Sequence, residues 1–182
     1  SQKIILKRVY IFSFSLPIVL YLIIYFYSAM TQPGAGTIFA RKNRSQPLKG
    51  SNGIDVVVSP GEHQIYTKIM QIVHKYTTAD DFVVCFPYCP GINLITNRNT
   101  YQRKLYVDDA HLRFPHKIDM IIKKIRLHKP AIVIYTNWAI NGTKQSMFKN
   151  WAKKIVRHLA AHYSYFGDVH GYHVYIRPNK LK

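Results

Sequence analysis

Ala131-Ile132-Val133-Ile134-Tyr135 decides how the rest of the chain is read, because it is apolar without a break and bracketed by Lys129-Pro130 and Thr136-Asn137. A strand with one face in water alternates apolar and polar residues, so a short unbroken run predicts a strand covered by helices on both faces. Phe82 to Phe86 has the same character and ends at a Pro-Tyr-Cys-Pro-Gly turn. Between these two runs, Pro115 opens a segment in which Ile118, Ile121, Ile122 and Ile125 share one helical face, with Lys117, Lys124 and Arg126 mostly outside it. Lys129-Pro130 stops that helix.

Upstream, Asp55 to Val58 is a short β-branched run, and Ser59-Pro60-Gly61-Glu62 supplies a capping serine, a proline at the first helical position and a glutamate three residues on. A helix is expected from there, with Ile65, Ile69, Ile72, Val73 and Tyr76 at helical spacing and Thr77 to Asp81 closing it. Ile92 to Thr96 and Lys104 to Val107 read as shorter strands or turns. Downstream, Met147, Phe148, Trp151, Ile155, Val156, Leu159 and Tyr163 define one long amphipathic helix, with Lys149, Lys153 and Arg157 as a basic stripe. Tyr165 to Val169 and Tyr172 to Ile176, joined by His170-Gly171, read as a terminal hairpin. The order predicts an α/β fold, a partly parallel sheet flanked by helices and ending in an antiparallel hairpin.

The amino end differs from all this. Val9 to Met30 is twenty-two residues without a charge, and a helix of that length just crosses a ~30 Å hydrocarbon layer. A signal-peptide core spans only ~7–15 residues, so the segment reads as a transmembrane anchor over 1–30; the alternative, a buried helix, would need a core able to surround it. The first residue is Ser and not Met, which reads as a cut or processed chain with this helix the last of several spans. Residues 31–53 read as a linker rich in Gly, Pro, Ser and Asn, and 54–182 as the soluble α/β domain.

The formal net charge is +18, with all eight acidic residues after position 50. Such an excess attracts anionic lipid, phosphate-bearing ligands or nucleic acid, and also suits a solvated surface beside a negative membrane. Three basic residues precede the apolar run and four follow it within about twenty residues, so charge leaves its orientation open. Many of the fourteen tyrosines lie in the apolar run or on apolar helix faces, and nucleic acid is not the expected partner.

Cys85 and Cys89 are either buried free thiols or a disulfide closed by a turn at Pro87 and Pro90. His158, His162, His170 and His173 are the densest set of metal-type ligands, but the HExxH carboxylate is missing, so packing and interfacial histidines are expected and no metal is. Asp108-Asp109 follows a short strand candidate, where a carboxylate pair can bind a ligand or move a proton, although adjacent residues on an extended chain point apart. Phosphate-loop and nucleophile-elbow motifs are absent, so no catalytic residue and no cofactor is expected. Asn43-Arg-Ser45 and Asn141-Gly-Thr143 match glycosylation acceptors.

From Tyr66 to Pro178 the layout resembles the soluble C-terminal region of the dolichyl-phosphate-mannose-protein mannosyltransferases and their bacterial polyprenyl-phosphate relatives. The resemblance rests on the T-x-x-D-D turn at Thr77 to Asp81, VVCFPYCPGINLITNR ending at Arg98, KPAIVIY at Lys129 to Tyr135, and GYHVYIRP at Gly171 to Pro178. It implies an extracytoplasmic domain attached to a membrane-embedded transferase that takes sugar from a lipid phosphate. The family's catalytic carboxylate lies in an early loop that this chain does not contain, so no catalytic residue carries over. Asn97 stands where the family often has a small residue. Arg98 is the position the resemblance marks for phosphate or glycan contact, beside a plain turn-stabilising alternative. The functions to be tested are therefore a noncatalytic glycosyltransferase-like domain that assists acceptor or lipid-phosphate carrier binding, or a single-span module for anionic lipid or a partner protein. The oligomeric state is not legible.

Overall fold

The computed structural model describes residues 16–28, 43–87, 89–101, 115–139 and 142–181. Among these, no helix is long and apolar enough to cross a membrane. Residues 16–28 of the apolar run form helix α1. The N-terminal transmembrane helix expected from the sequence is overturned on that finding: no helix among the described residues has the length and apolarity a span needs.

The chain divides into two units, Ser1–Gln46 with Val57–Pro60, and Pro47–Val56 with Gly61–Lys182. In the first, the apolar side chains of α1 are exposed along its whole length, from Leu16 at 57% to Tyr27 at 70%. Gln46–Lys49 (β1) and Asp55–Val58 (β2) make a small antiparallel sheet. Strand β1 lies within the stretch read as a linker, where Leu48, 4% exposed, supplies the buried apolar contact that composition alone conceals.

The second unit is built on a four-stranded mixed sheet in the order β3-β4-β6-β5, with β3 at Val83–Phe86, β4 at Ile132–Thr136, β5 at Ser164–Val169 and β6 at Tyr172–Ile176. Strands β3 and β4 are parallel, whereas β6 runs antiparallel to both β4 and β5. Alternate residues leave opposite faces, so β3, β4 and β6 each feed two cores. Ile69, Ile72 and Val73 of α2 (Pro60–Tyr76) pack with Val83, Cys85, Ile132, Ile134, Val174 and Ile176 on one side. Ile125 of α4 (Pro115–His128), Phe148 of α5 (Phe148–Trp151), and Ile155 and Leu159 of α6 (Lys153–His162) pack with Val84, Phe86, Val133 and Tyr135 on the other. Burial on both faces is the reason Val83–Phe86 and 132–135 are apolar throughout.

Two local expectations are corrected. Ile92 to Thr96 is not a strand or turn but part of helix α3 (Pro90–Thr96), started by a proline in its first turn and closed by Asn97 in the left-handed region at φ 48°. Its Ile92, Ile95 and Thr96 are all buried, so their β-branched character served a helix face at i, i+3, i+4. The single amphipathic helix expected over Met147 to Tyr163 is interrupted at Ala152 (φ −100°, ψ 32°), which divides α5 from α6.

Candidate functional site

Cys85 and Cys89 are joined as a disulfide, their Cα atoms 5.7 Å apart, which settles the alternative left open by the sequence. The bridge ties the end of β3 to the start of α3.

Arg98 follows α3 and is occupied in full by the protein. Its Nε donates to Thr77 Oγ1 at 2.8 Å, Nη1 donates to the carbonyls of Thr96 and Asn97 at 3.1 and 3.2 Å, and Nη2 reaches His74 Nδ1 at 3.0 Å and the Thr77 carbonyl at 3.4 Å. A guanidinium has five N–H donors, and all five are used here. A phosphate or glycan approaching Arg98 has to displace one of these bonds.

The same arrangement fixes the tautomer of His74. Arginine only donates, so Nδ1 of His74 is the acceptor and Nε2 carries the proton, which it gives to Ser51 Oγ at 2.7 Å. Burial, then the Arg98 charge, lowers the His74 pKa and keeps the ring neutral. A base that activates serine needs a free Nε2 lone pair, so Ser51 and His74 form a clamp on the β1–β2 turn and not a nucleophile pair. Asp108 and Asp109 lie outside the described residues.

The four histidines separate into two environments. His173 is held by Asn137 Nδ2 on Nε2 at 3.0 Å and by Asp168 on Nδ1 at 3.4 Å, while His170 sits exposed in the β5–β6 turn at φ 49°. The rings of His158 and His162 stand 4.2 Å apart on α6. Among the described residues no group of three or more His, Cys, Asp or Glu is placed to hold a metal ion.

His158 and His162 instead line an open cavity of about 310 Å³ with Tyr163 and with Ile125, Arg126, Lys129 and Arg177. The residues come from the end of α4, the end of α6 and the end of β6. Ile132 pairs with Ile176, and Arg177 N–H donates to the Ala131 carbonyl at 2.9 Å, so β6 finishes beside the start of β4. Arg177 is braced there: Nη1 donates to the Lys129 carbonyl and Nε to Asn179 Oδ1, both at 2.8 Å, with Nη2 3.9 Å from Asp81. Asp81 is itself engaged by Lys180 at 2.6 Å and by the Thr78 N–H and hydroxyl. Burial pushes the Asp81 pKa up, but the Lys180 hydrogen bond, the two Thr78 bonds and the Lys180 charge outweigh it and hold the carboxyl below its ordinary value.

Among the described residues no carboxylate lines the cavity, and neither Arg126 nor Lys129 has an acidic partner. The floor is neutral. Burial, then His162 and Arg126, lowers the His158 pKa, and burial pushes the Tyr163 phenol up to about 12 against the pull of Arg177. Lys129 reaches the cavity from a left-handed conformation, φ 44°, one residue past α4, where its N–H closes the helix on the Ile125 carbonyl at 2.9 Å. The lining thus combines three cations with two histidines and a tyrosine, and its volume is at the lower end of the range for small-molecule sites. Sequence reasoning missed it because its residues belong to three segments that only the strand register brings together. No protein-family model, curated protein or solved structure matches the chain.

Proposed function

We propose that this chain is a noncatalytic, extracytoplasmic α/β domain of a glycosyltransferase-like protein and that it holds a phosphate-bearing ligand of the polyprenyl-phosphate class at the cavity between α4, α6 and β6. The observation that carries the reading is the cation set of Arg126, Lys129 and Arg177 around about 310 Å³ of open space, with no lining carboxylate among the described residues. Opposite charge at this density favours a phosphate, whereas an acyl or glycosyl acceptor alone offers nothing for it to meet. The Cys85–Cys89 bridge supports an oxidising, extracytoplasmic setting. The His74 tautomer, which leaves Ser51 without a base, agrees with a binding role for that pair.

The test is a titration with a short-chain isoprenyl monophosphate followed by phosphorus NMR. Line broadening that is saturable and is lost in an Arg126→Ala/Lys129→Ala double variant supports the proposal. Binding unaffected by that variant, or sugar transfer from a polyprenyl-phosphate donor by the chain alone, overturns it.

A second reading, attachment to an anionic lipid surface, is favoured by the outer face of α4. Met120 and Leu127 are 54% and 71% exposed there, and the exposed Lys123 and Lys124 fall between them on one helical stripe. Flotation with anionic but not neutral vesicles, retained in the Arg126→Ala/Lys129→Ala variant and lost in Met120→Ser/Leu127→Ser, selects this reading over the first.

A further inference from the structure

Sugar transfer from a polyprenyl-phosphate sugar breaks the bond between the sugar and a phosphate oxygen. The donor is a phosphodiester with one charge; the carrier left behind is a phosphomonoester with nearly two at neutral pH. The cavity distinguishes these species by charge and by protons.

His162 Nδ1 lies 2.9 Å from the His158 carbonyl, and a carbonyl only accepts, so Nδ1 carries the proton. Nε2 of a neutral His162 is then a lone pair and repels an ionised phosphate oxygen. It becomes a donor only by gaining a proton. The groups facing the pair are all basic or neutral: Arg126 and Lys129 from the end of α4, Tyr163 next along the chain, and Arg177 beyond β6, whose Nη2 is turned toward Asp81. Among the described residues, Arg126 and Lys129 have no acid partner, and two unmatched positive charges are balanced by a dianion but not by a monoanion. Resting on the phosphate-binding reading above, we infer that the cavity selects the spent carrier, a polyprenyl phosphomonoester, over the sugar-bearing diester, and that His162 Nε2 takes up a proton as the monoester binds. The domain accordingly acts after sugar transfer, retaining the product from which a diester-forming reaction must regenerate the donor.

The experiment is isothermal titration of the full chain at pH 7.5 in two buffers of different ionisation enthalpy, with geranyl phosphate, geranyl methyl phosphate and inorganic phosphate as ligands. The monoester is expected to bind roughly tenfold tighter than the diester, one unit of charge acting across an open, screened site. Its buffer dependence should show net proton uptake. The sign is decisive, because loss of the monoester's own residual proton gives release and only the protein gives uptake. His162→Gln, at an exposed position, should keep the fold by circular dichroism, weaken monoester binding toward that of the diester, and abolish the uptake. Equal affinity for monoester and diester, uptake unchanged in His162→Gln, or no uptake at all overturns this inference and leaves the phosphate site standing. If neither ester nor inorganic phosphate binds, the phosphate-site reading itself falls.

Discussion

Replacing Lys129 by glycine is expected to move stability and binding in opposite directions. Lys129 occupies the left-handed region at φ 44°, at the position after a helix where glycine is the usual occupant, and it precedes Pro130, which narrows its backbone choices further. A side chain with a Cβ in that region costs about 1–2 kcal/mol, and glycine removes the cost while adding about 0.5–1 kcal/mol of unfolded-state entropy. The hydrogen bonds there involve only the backbone, from Lys129 N–H to Ile125 and from Arg177 to the Lys129 carbonyl, and they survive the change. The net is a gain of roughly 0.5–1 kcal/mol, or a Tm higher by about 1–4 °C for a chain of this size. Removing the ammonium should meanwhile weaken monophosphate binding about five- to tenfold at low salt, less at high salt. Lys129→Ala is the control: it loses the same charge but keeps a Cβ, so binding falls equally while Tm stays within a degree or so of the parent. Thermal unfolding by circular dichroism and titration with a short-chain monophosphate read both quantities on one sample. A glycine variant that is less stable than the parent, or a pair of variants that bind as well as the parent, refutes the reasoning.

Three further outcomes are expected. Arg98→Ala should cost roughly 2–4 kcal/mol in denaturant unfolding, since it strips donors from Thr77, Thr96 and Asn97 at once, yet leave monophosphate affinity unchanged; stable protein with weakened binding would return Arg98 to the ligand site. The Asp81 carboxyl titrates below its ordinary value in the fold, so its contribution is complete above the unfolded pKa of about 4 and is lost as pH falls toward the lower folded value; Asp81→Asn should flatten that acid limb and leave the difference from parent constant above pH 5. Reduction of the Cys85–Cys89 bridge, which spans a sequence separation of 4, should lower stability by about 2 kcal/mol with the sheet retained in far-ultraviolet dichroism, whereas global unfolding on reduction would show that the short loop does more than limit chain entropy.

The sheet was legible in the sequence for a physical reason: β3 and β4 are covered on both faces, so Val83 to Phe86 and Ile132 to Tyr135 had to be apolar throughout. The hairpin of β5 and β6 was announced by His170-Gly171 between two aromatic, β-branched runs, and the start of α2 by Ser59-Pro60. Helix α3 was not legible, because β-branched residues carry a strand preference that tertiary burial overrode. The site was the least visible part. Arg126 and Lys129, His158 and His162, and Arg177 belong to three separate segments, and nothing in their spacing shows that they converge until Ile132 is known to lie opposite Ile176.

That convergence has a rival explanation, which Lys129 helps to weigh. The cavity sits where α4 and α6 end, and helix C-termini attract positive charge whether or not a ligand exists. Arg126, in the last turn of α4, and His162, in the last turn of α6, are accounted for by that effect alone. Lys129 is not. It lies beyond the final turn, its N–H already closes the helix, and its backbone holds a conformation in which glycine would be the more stable choice. Dipole compensation falls off within the last turn and is worth about 0.3–1 kcal/mol at an exposed position, less than the left-handed conformation costs a lysine. Lys129 is therefore the position at which the proposed phosphate site and helix electrostatics part: the lysine-to-glycine change should raise stability under either account, and lower monophosphate affinity only if the cavity holds a phosphate.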